Sequence, residues 1–399
     1  MKVLMVHNRY RQRGGEDAVA EAETHLLGAH GVEVERLDVD NDAIHGLGGK
    51  IHASIGLFAG SSAVNDRVSK ALAGFNPDVV HVHNWFPTLS ASIFNKCRRA
   101  GVPAVHTLHN YRLLCAGATL FRDGRVCEDC VGTALRMPGV MHGCYRGSTT
   151  GTAVATAGML THWATGTWHR SVDRFIALSE FARTKLIEGG LPADKITVKQ
   201  NFVDPAPEPG AGGGGYLLYA GRLTEEKGLR VLLECWKSGP NLPVLRIAGT
   251  GPLEAEVRAA ALALPNVEWV GGKSSAETVE LMRHAKALLC PSLWYEGMPR
   301  VTIESLAVGT PVVASRIGCY PEMIVDGESG VLFPAGDVSG LLSRLRGLEV
   351  RDGYSEMRTA ARRRFEQEYT GARNIALLLQ IYRGVMAAER QVYPVAVSA

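Results

Sequence analysis

The run Ala287-Leu-Leu-Cys-Pro-Ser-Leu-Trp-Tyr-Glu-Gly-Met-Pro-Arg-Val-Thr-Ile-Glu-Ser-Leu-Ala-Val-Gly-Thr-Pro-Val-Val-Ala314 reads as strand, loop, short helix, strand. Ala287–Cys290 and Pro311–Ala314 are the apolar strands; Pro299 falls near the start of the helix and Gly309 just past its end. Glu296 sits in the Gly/Pro-rich loop and Glu304 in the helix, eight residues later. A helix N-terminus offers unpaired N–H groups and a positive dipole end to a phosphate, while flanking acids suit sugar hydroxyls. The arrangement fits a nucleotide-sugar. Two glutamates at this spacing also arise as solvated helix charge, so context has to decide.

Outward from this unit, strand and helix patterns alternate along the chain. The first half carries apolar runs at Val3–Val6, Val32–Leu37, Val79–Val82, Ala104–Leu108, Phe175–Leu178 and Ile196–Val198, with helical stretches such as Glu16–Ala29 and Leu89–Ala100 between them. Proline and glycine then crowd out apolar residues from Phe202 to Gly215, which predicts a linker over 205–215. A second series restarts with Tyr216–Ala220, Val244–Ala248, Val267–Val270, Ala287–Cys290, Pro311–Ala314 and Gly330–Phe333. The fold class is therefore α/β: two doubly wound, Rossmann-like parallel-sheet domains facing a ligand cleft. The predicted divisions are 1–204, the linker, 216–370 and a last helical segment 371–399 with no sheet left to serve.

A chain of 399 residues with 46% hydrophobic content supports two substantial cores. The formal charge of +3 is small and the basic residues are scattered, which argues against nucleic acid as a partner. The chain opens directly on the strand Lys2–His7, without a charged and then apolar leader pattern, so export is not expected and a cytoplasmic setting is. The uncharged stretch Gly147–Trp168 is rich in Gly, Thr and Ala and contains His162. It is too polar for a spanning helix and reads as a core or inter-helix segment, with peripheral membrane-surface contact as the second reading.

The run around Glu296 and Glu304 resembles the Glu-x7-Glu motif of retaining glycosyltransferases with the two-domain GT-B fold, glycosyltransferase family 4, also called glycosyl transferases group 1. The resemblance spans nearly the whole chain and is strongest from Tyr216 to Phe333. It implies a nucleotide-diphosphate sugar held by the second domain, with Gly297, Met298 and Glu304 among the donor-binding positions, and a C-terminal segment that returns to the first domain. Pro299 departs from the pattern, where glycine is common, and removes one backbone donor near the phosphate.

Gly221-Arg-Leu-Thr-Glu-Glu-Lys-Gly228 follows the first strand of the second half and opens a helix, which puts Arg222 and Lys227 where cations meet a diphosphate. Two fixed cations stabilise a departing diphosphate, so the resemblance implies catalysis without a required cofactor. Ala248-Gly-Thr-Gly-Pro252 ends another strand, where Gly249 and Gly251 permit close backbone approach to a ligand. It lacks the third glycine and the acid of a dinucleotide fingerprint. Gly318, Pro321 and Glu322 follow a later strand and read as loop shape.

In the first half, Arg9-Tyr-Arg-Gln-Arg-Gly-Gly-Glu16 joins a strand to a helix, and Gly14 and Gly15 match the family's Gly-Gly loop beside donor sugar and acceptor. Arg9, Arg11 and Arg13 are either a solvated turn or the approach to an anionic acceptor. His109 ends the strand beginning at Ala104 and resembles the histidine that hydrogen-bonds the transferred sugar in this family. His81, His83 and His106 alternate with apolar neighbours and read as buried or supporting residues.

The implied reaction is hexosyl transfer with retention, to a glycan, lipid-linked or small-molecule acceptor. No carboxylate nucleophile is evident in the first half, which favours a same-face mechanism over double displacement. Glu296 then holds sugar hydroxyls, Glu304 the ribose, Arg222 and Lys227 the diphosphate, and His109 the sugar. Asp38-Val-Asp40 is the Asp-x-Asp pair a metal-dependent transferase would need, but it ends the second strand, away from the donor half. A sugar-nucleotide epimerase or phosphorylase, or a non-catalytic binding subunit, shares the donor features and stays open at this stage.

Cys115, Cys127, Cys130 and Cys144 cluster in a Gly-rich insertion at about 110–147. A Cys-x2-Cys pair with two further thiols nearby has the composition of a structural zinc site; disulfides and unligated thiols are the alternatives. Cys97, Cys235, Cys290 and Cys319 fall at positions suited to small core residues.

Overall fold

The computed structural model describes residues 1–9, 14–40, 54, 56–349 and 353–392. Arg11 and Arg13 lie outside the described residues. Two compact units are present: unit 1 contains Met1–Thr119, Glu128–Gln200 and the segment from Ala372, and unit 2 contains Leu120–Cys127 and Asn201–Gly371.

Unit 1 is built on six strands: β1 (Lys2–Arg9), β2 (Glu33–Asp40), β3 (Val79–Asn84), β4 (Ala104–Leu108), β7 (Arg174–Ala177) and β8 (Ile196–Val198). β5 (Phe121–Arg122) and β6 (Arg125–Val126) form a separate antiparallel hairpin across Asp123-Gly124, both at positive φ, as a two-residue hairpin turn requires. The sheet order β2-β1-β3-β4-β7-β8 is parallel throughout. β3 and β4 are buried along their whole length, which is why their polar positions must find partners inside the core. The uncharged stretch forms the helix Thr149–Ala164, which packs Gly158 so closely on Leu57 that an added Cβ would lie 3.1 Å from the Leu57 Cβ. No described helix is long and apolar enough to cross a membrane. The helix Gly371–Val392 brings Tyr382 into the unit 1 core, and Asn374 Nδ2 donates to the Gln200 carbonyl at 3.2 Å.

Unit 2 holds β9 (Tyr216–Ala220), β10 (Val244–Ala248), β11 (Val267–Gly271), β12 (Ala287–Cys290), β13 (Val312–Ser315) and β14 (Gly330–Phe333). Their parallel order is β11-β10-β9-β12-β13-β14, the 3-2-1-4-5-6 arrangement of dinucleotide-type folds. Helices 229–238 and 338–349 pack together, as do 275–284, 300–307 and 354–368. The chain reverses winding between β9 and β12, and the crevice outside their carboxyl ends is where such sheets bind ligands.

The Gly/Pro-rich stretch predicted as a linker belongs to unit 2. Arg358 Nη2 donates to the Gly210 carbonyl (2.7 Å), Arg362 Nη1 to Pro207 (2.8 Å), and Gly212 N to Arg283 O (3.0 Å). A Cβ at Gly210 would lie 2.1 Å from Arg283 O, so glycine there serves close packing.

Candidate active site

The unit 2 site is assembled at the carboxyl ends of β9 and β12. After β9 the chain makes one tight turn, Glu225–Lys227, and enters the helix Leu229–Ser238 through Gly228 at φ +72°. A Cβ on Gly228 would stand 1.8 Å from the Pro291 carbonyl, so this glycine lets the turn lie against the loop after β12. Leu293 N donates to Glu226 O at 2.8 Å and fixes the two loops together.

The result is an ion pair between a buried acid and a partly exposed lysine. Lys227 Nζ lies 2.7 Å from Glu296 Oε1, and the Ser292 hydroxyl donates to the same oxygen at 2.8 Å. Ser292 Oγ is also 3.2 Å from the Tyr320 hydroxyl. Glu296 is 4% exposed. Burial by itself would raise its carboxyl, but the Lys227 ammonium and the Ser292 hydroxyl outweigh that and hold it below the usual carboxylate range. Gly318, at φ +58°, leaves room for the Glu296 backbone, since a Cβ there would be 3.2 Å from Glu296 N.

Glu304 lies in the second turn of helix Arg300–Ala307, whose N-cap is Pro299 without a side-chain cap. Its carboxylate is buried, with Arg300 Nη2 at 3.4 Å. Burial raises its carboxyl and Arg300 offsets that only in part. A carboxylate so placed gains from hydroxyls that donate to it. Met298 is buried and its carbonyl accepts from Asn201 Nδ2 at 2.8 Å, which anchors the Gly297-Met298 corner before the helix.

Arg222 stands apart from this pair. Its side chain is 64% exposed and its guanidinium lies 3.8 Å from Glu226. Gly249 and Gly251, at φ +150° and +156°, sit directly on the loop after β9: added Cβ atoms would lie 1.9 Å from Gly221 O and 2.6 Å from Leu223 O. The close approach these glycines permit is of one loop to another, which laces Gly221–Leu223 to the end of β10. Ser292 and Tyr320 escaped sequence reading because nothing local marks a hydroxyl as the partner of a distant acid.

Unit 1 carries a second constellation. His109 follows β4, partly buried, and its Nε2 lies 2.9 Å from His83 Nδ1 on β3. It borders a pocket shared with Phe86, Asn110, Arg112 and Leu113, in which the Arg112 guanidinium stacks 4.0 Å from the Phe86 ring centre. His83 Nε2 is 3.3 Å from Glu23 Oε2, and Lys199 Nζ is 2.5 Å from Glu23 Oε1. His81 bonds the Tyr382 hydroxyl through Nδ1 and Thr107 through Nε2, both at 2.7 Å. Burial would raise the Glu23 carboxyl, yet Lys199, His83 and His81 together outweigh it and hold the acid well below the usual range. Burial lowers His81, His83 and His109, so all three are neutral imidazoles near neutrality.

Glu23, His81 and His83 are close enough together to resemble a metal ligand set. Lys199 balances the carboxylate and both His81 nitrogens have partners, while Glu23 Oε2 and His83 Nε2 keep no hydrogen bond among the described residues. Gly14 caps the helix Gly15–Ala29, and its N–H donates to Asp17 Oδ2 at 2.7 Å, while Asp17 Oδ1 accepts from His7 Nε2 at 2.8 Å. An added Cβ on Gly15 would meet nothing within 4 Å. Asp38 pairs with Arg9 and Arg36, at 2.7 and 2.8 Å, which engages the first acid of Asp38-Val-Asp40.

Cys115, Cys130 and Cys144 belong to unit 1 and Cys127 to unit 2, and no three of the four sulfurs lie close enough together to hold one metal ion. A Cβ at Gly117 would lie 3.7 Å from Cys115 Sγ and 3.2 Å from Cys144 O; one at Gly139 would lie 3.3 Å from Cys130 Sγ, and Cys144 N donates to Gly139 O at 3.0 Å. The buried Arg136 guanidinium donates to the Leu113 and Leu114 carbonyls, and burial lowers it from the ordinary arginine range. The eight cysteines are thiols rather than disulfides. Cys127 closes the β5–β6 hairpin through its N–H to Leu120 O.

Two family profiles match in tandem: "Glycosyltransferase Family 4" over residues 18–207 and "Glycosyl transferases group 1" over 204–364. The chain belongs to glycosyltransferase family 4. This is a retaining family with the GT-B fold, and the chain is an enzyme of the glycosyltransferase class. It is 28% identical over 337 residues to "Glycogen synthase" of Mycobacterium tuberculosis, covering 80% of this chain and 72% of the relative. It is 29% identical to "Phosphatidyl-myo-inositol mannosyltransferase" of Mycobacterium leprae, covering 56% and 63%. Among solved structures, Anabaena Alr3699/HepE in complex with UDP-glucose superposes with a TM-score of 0.66 at 17% identity, over 96% of this chain and 99% of that one, a likeness of fold.

Proposed function

We propose that this family 4 transferase moves a hexose-type sugar from a nucleotide-diphosphate sugar to a glycan, lipid-linked or small-molecule acceptor, with retention and by a same-face mechanism. The observation that carries the reading is the pairing of Lys227 with the buried Glu296 at the switch point of unit 2, with Glu304 in the second turn of the adjoining helix. The bond from the anomeric carbon to the diphosphate oxygen breaks, and its electron pair stays with the diphosphate. Lys227 stabilises that growing charge, and exposed Arg222 is free to swing onto it. Glu296, relieved of part of its lysine contact, accepts hydrogen bonds from sugar hydroxyls, and Glu304 accepts them from the ribose. The acceptor hydroxyl enters on the face the phosphate leaves, and its proton passes to a departing phosphate oxygen. His109 is assigned to the transferred sugar.

Support for this donor class comes from the UDP-glucose held by the Anabaena structure, and for the acceptor classes from the glycogen synthase and phosphatidyl-myo-inositol mannosyltransferase relatives. The reading places the enzyme in the cytoplasm, at or near the inner face of a membrane when its acceptor is lipid-linked.

The test is a panel of UDP-, GDP-, ADP- and dTDP-sugars scored by thermal stabilisation and slow donor hydrolysis, with Glu304→Ala and Lys227→Ala alongside. Stabilisation by one donor that both variants lose is the expected outcome. No response to any donor or free nucleotide overturns the reading.

A further inference from the structure

We infer that Glu23 and His83 are positioning residues for His109: the buried Lys199–Glu23 pair fixes the proton of His83 on Nε2, and this leaves His109 Nδ1 an unprotonated acceptor, set to take a hydrogen bond from a donating hydroxyl and not to give one. The inference takes from the proposed function only the identity of that hydroxyl, a sugar's.

The argument runs through four side chains from different elements. Glu23 comes from helix Gly15–Ala29, Lys199 from just after β8, His83 from β3 and His109 from just after β4. The Glu23, His83 and Lys199 side chains are no more than 1% exposed, so water cannot exchange their partners. With Lys199 Nζ at 2.5 Å, Glu23 is a carboxylate and can only accept. Glu23 Oε2 and His83 Nε2 face each other at 3.3 Å, an electrostatic contact outside hydrogen-bond geometry, and neither atom has a hydrogen-bond partner among the described residues. The stable assignment therefore places the proton on His83 Nε2.

A neutral His83 then has a lone pair on Nδ1. The hydrogen between His83 Nδ1 and His109 Nε2, 2.9 Å apart, must come from His109. That leaves Nδ1 of His109 without a proton, and it has no partner among the described residues. The other titratable groups around His83 include His7 on β1, His81 on β3 and His106 on β4; His81 is held by Thr107 and Tyr382, and His106 by the Val82 carbonyl. A reversed chain, with His83 donating to His109, would set a lone pair of His83 against the Glu23 carboxylate in a dry interior, a repulsion no neighbour relieves.

The experiment is two-bond 1H–15N correlation spectroscopy on 15N-histidine-labelled protein, with His109 assigned through His109→Gln. The expected wild-type spectrum shows His109 neutral with its proton on Nε2, kept in Lys199→Arg and lost to a tautomer mixture in the charge-free pair Glu23→Leu/Lys199→Met. His83→Leu should lower kcat about 10- to 100-fold while the donor KM changes less than about 3-fold, as expected for lost orientation and not lost donor binding. A wild-type His109 protonated on Nδ1, or a tautomer indifferent to loss of the ion pair, overturns the inference. If the double variant does not fold, the wild-type spectrum alone still decides against it or for it. If the tautomer is as inferred but His109→Leu turns over normally, the relay stands and the sugar-orienting role of His109 is what fails.

Discussion

Lys227 Nζ and Glu296 Oε1 meet at 2.7 Å across 69 residues of sequence, because Gly228 lets the turn after β9 lie on the Pro291 carbonyl after β12. Their side chains are 20% and 6% exposed, so each is the other's main compensation for lost water. Lys227→Met should cost about 3–5 kcal/mol of unit 2 stability by stranding a buried carboxylate. Lys227→Met/Glu296→Gln should recover much of that in urea denaturation and still lack donor hydrolysis. Full activity in the double variant would remove the pair from the site.

Glu304 is raised by burial, so it takes up a proton at a higher pH than an ordinary glutamate. Binding that uses its carboxylate should weaken as pH falls through that raised value. Glu304→Gln should bind nucleoside diphosphate about 10- to 100-fold more weakly at neutral pH and lose this dependence, measured by titration calorimetry.

Gly228→Ala and Gly249→Ala should each cost at least about 2 kcal/mol and abolish donor protection, because positive φ and a carbonyl under 2 Å from the new Cβ act together. Gly15→Ala has open space by comparison and should leave stability within about 1 kcal/mol. Thermal denaturation distinguishes the three.

His106 is pushed down to about 4 by burial, from 6.5. The unfolded chain therefore binds its proton first, so the stability from this residue is complete above pH 6.5 and drains as pH falls toward 4, amounting to about 3 kcal/mol. His81, His83 and His109 are depressed in the same direction and steepen the slope. Denaturation midpoints from pH 7.5 to 5 should fall, and His106→Asn should flatten the slope by about one proton.

The sheets and their winding were legible because strand and helix periods and Gly/Pro punctuation are written within ten or twenty residues of each other. So were the Pro299 start and Gly309 stop of the Glu304 helix. What Lys227 pairs with, the hydroxyls of Ser292 and Tyr320 around Glu296, and the grouping of the β5–β6 hairpin with unit 2 were not. Gly249 and Gly251 were readable as sites of close approach, but the object they approach, the backbone of Gly221 and Leu223, was not.

The sequence by itself determined two parallel α/β units, the acid–helix–acid run and the glycines that make its loops. Tertiary structure alone decided the charge states. Lys199 meets Glu23 across 176 residues and Tyr382 meets His81 across 301, separations at which no periodicity survives. Whether a histidine is neutral, or which of its nitrogens holds the proton, depends on burial and on the partner packing delivers, and both come into being only when the chain has folded.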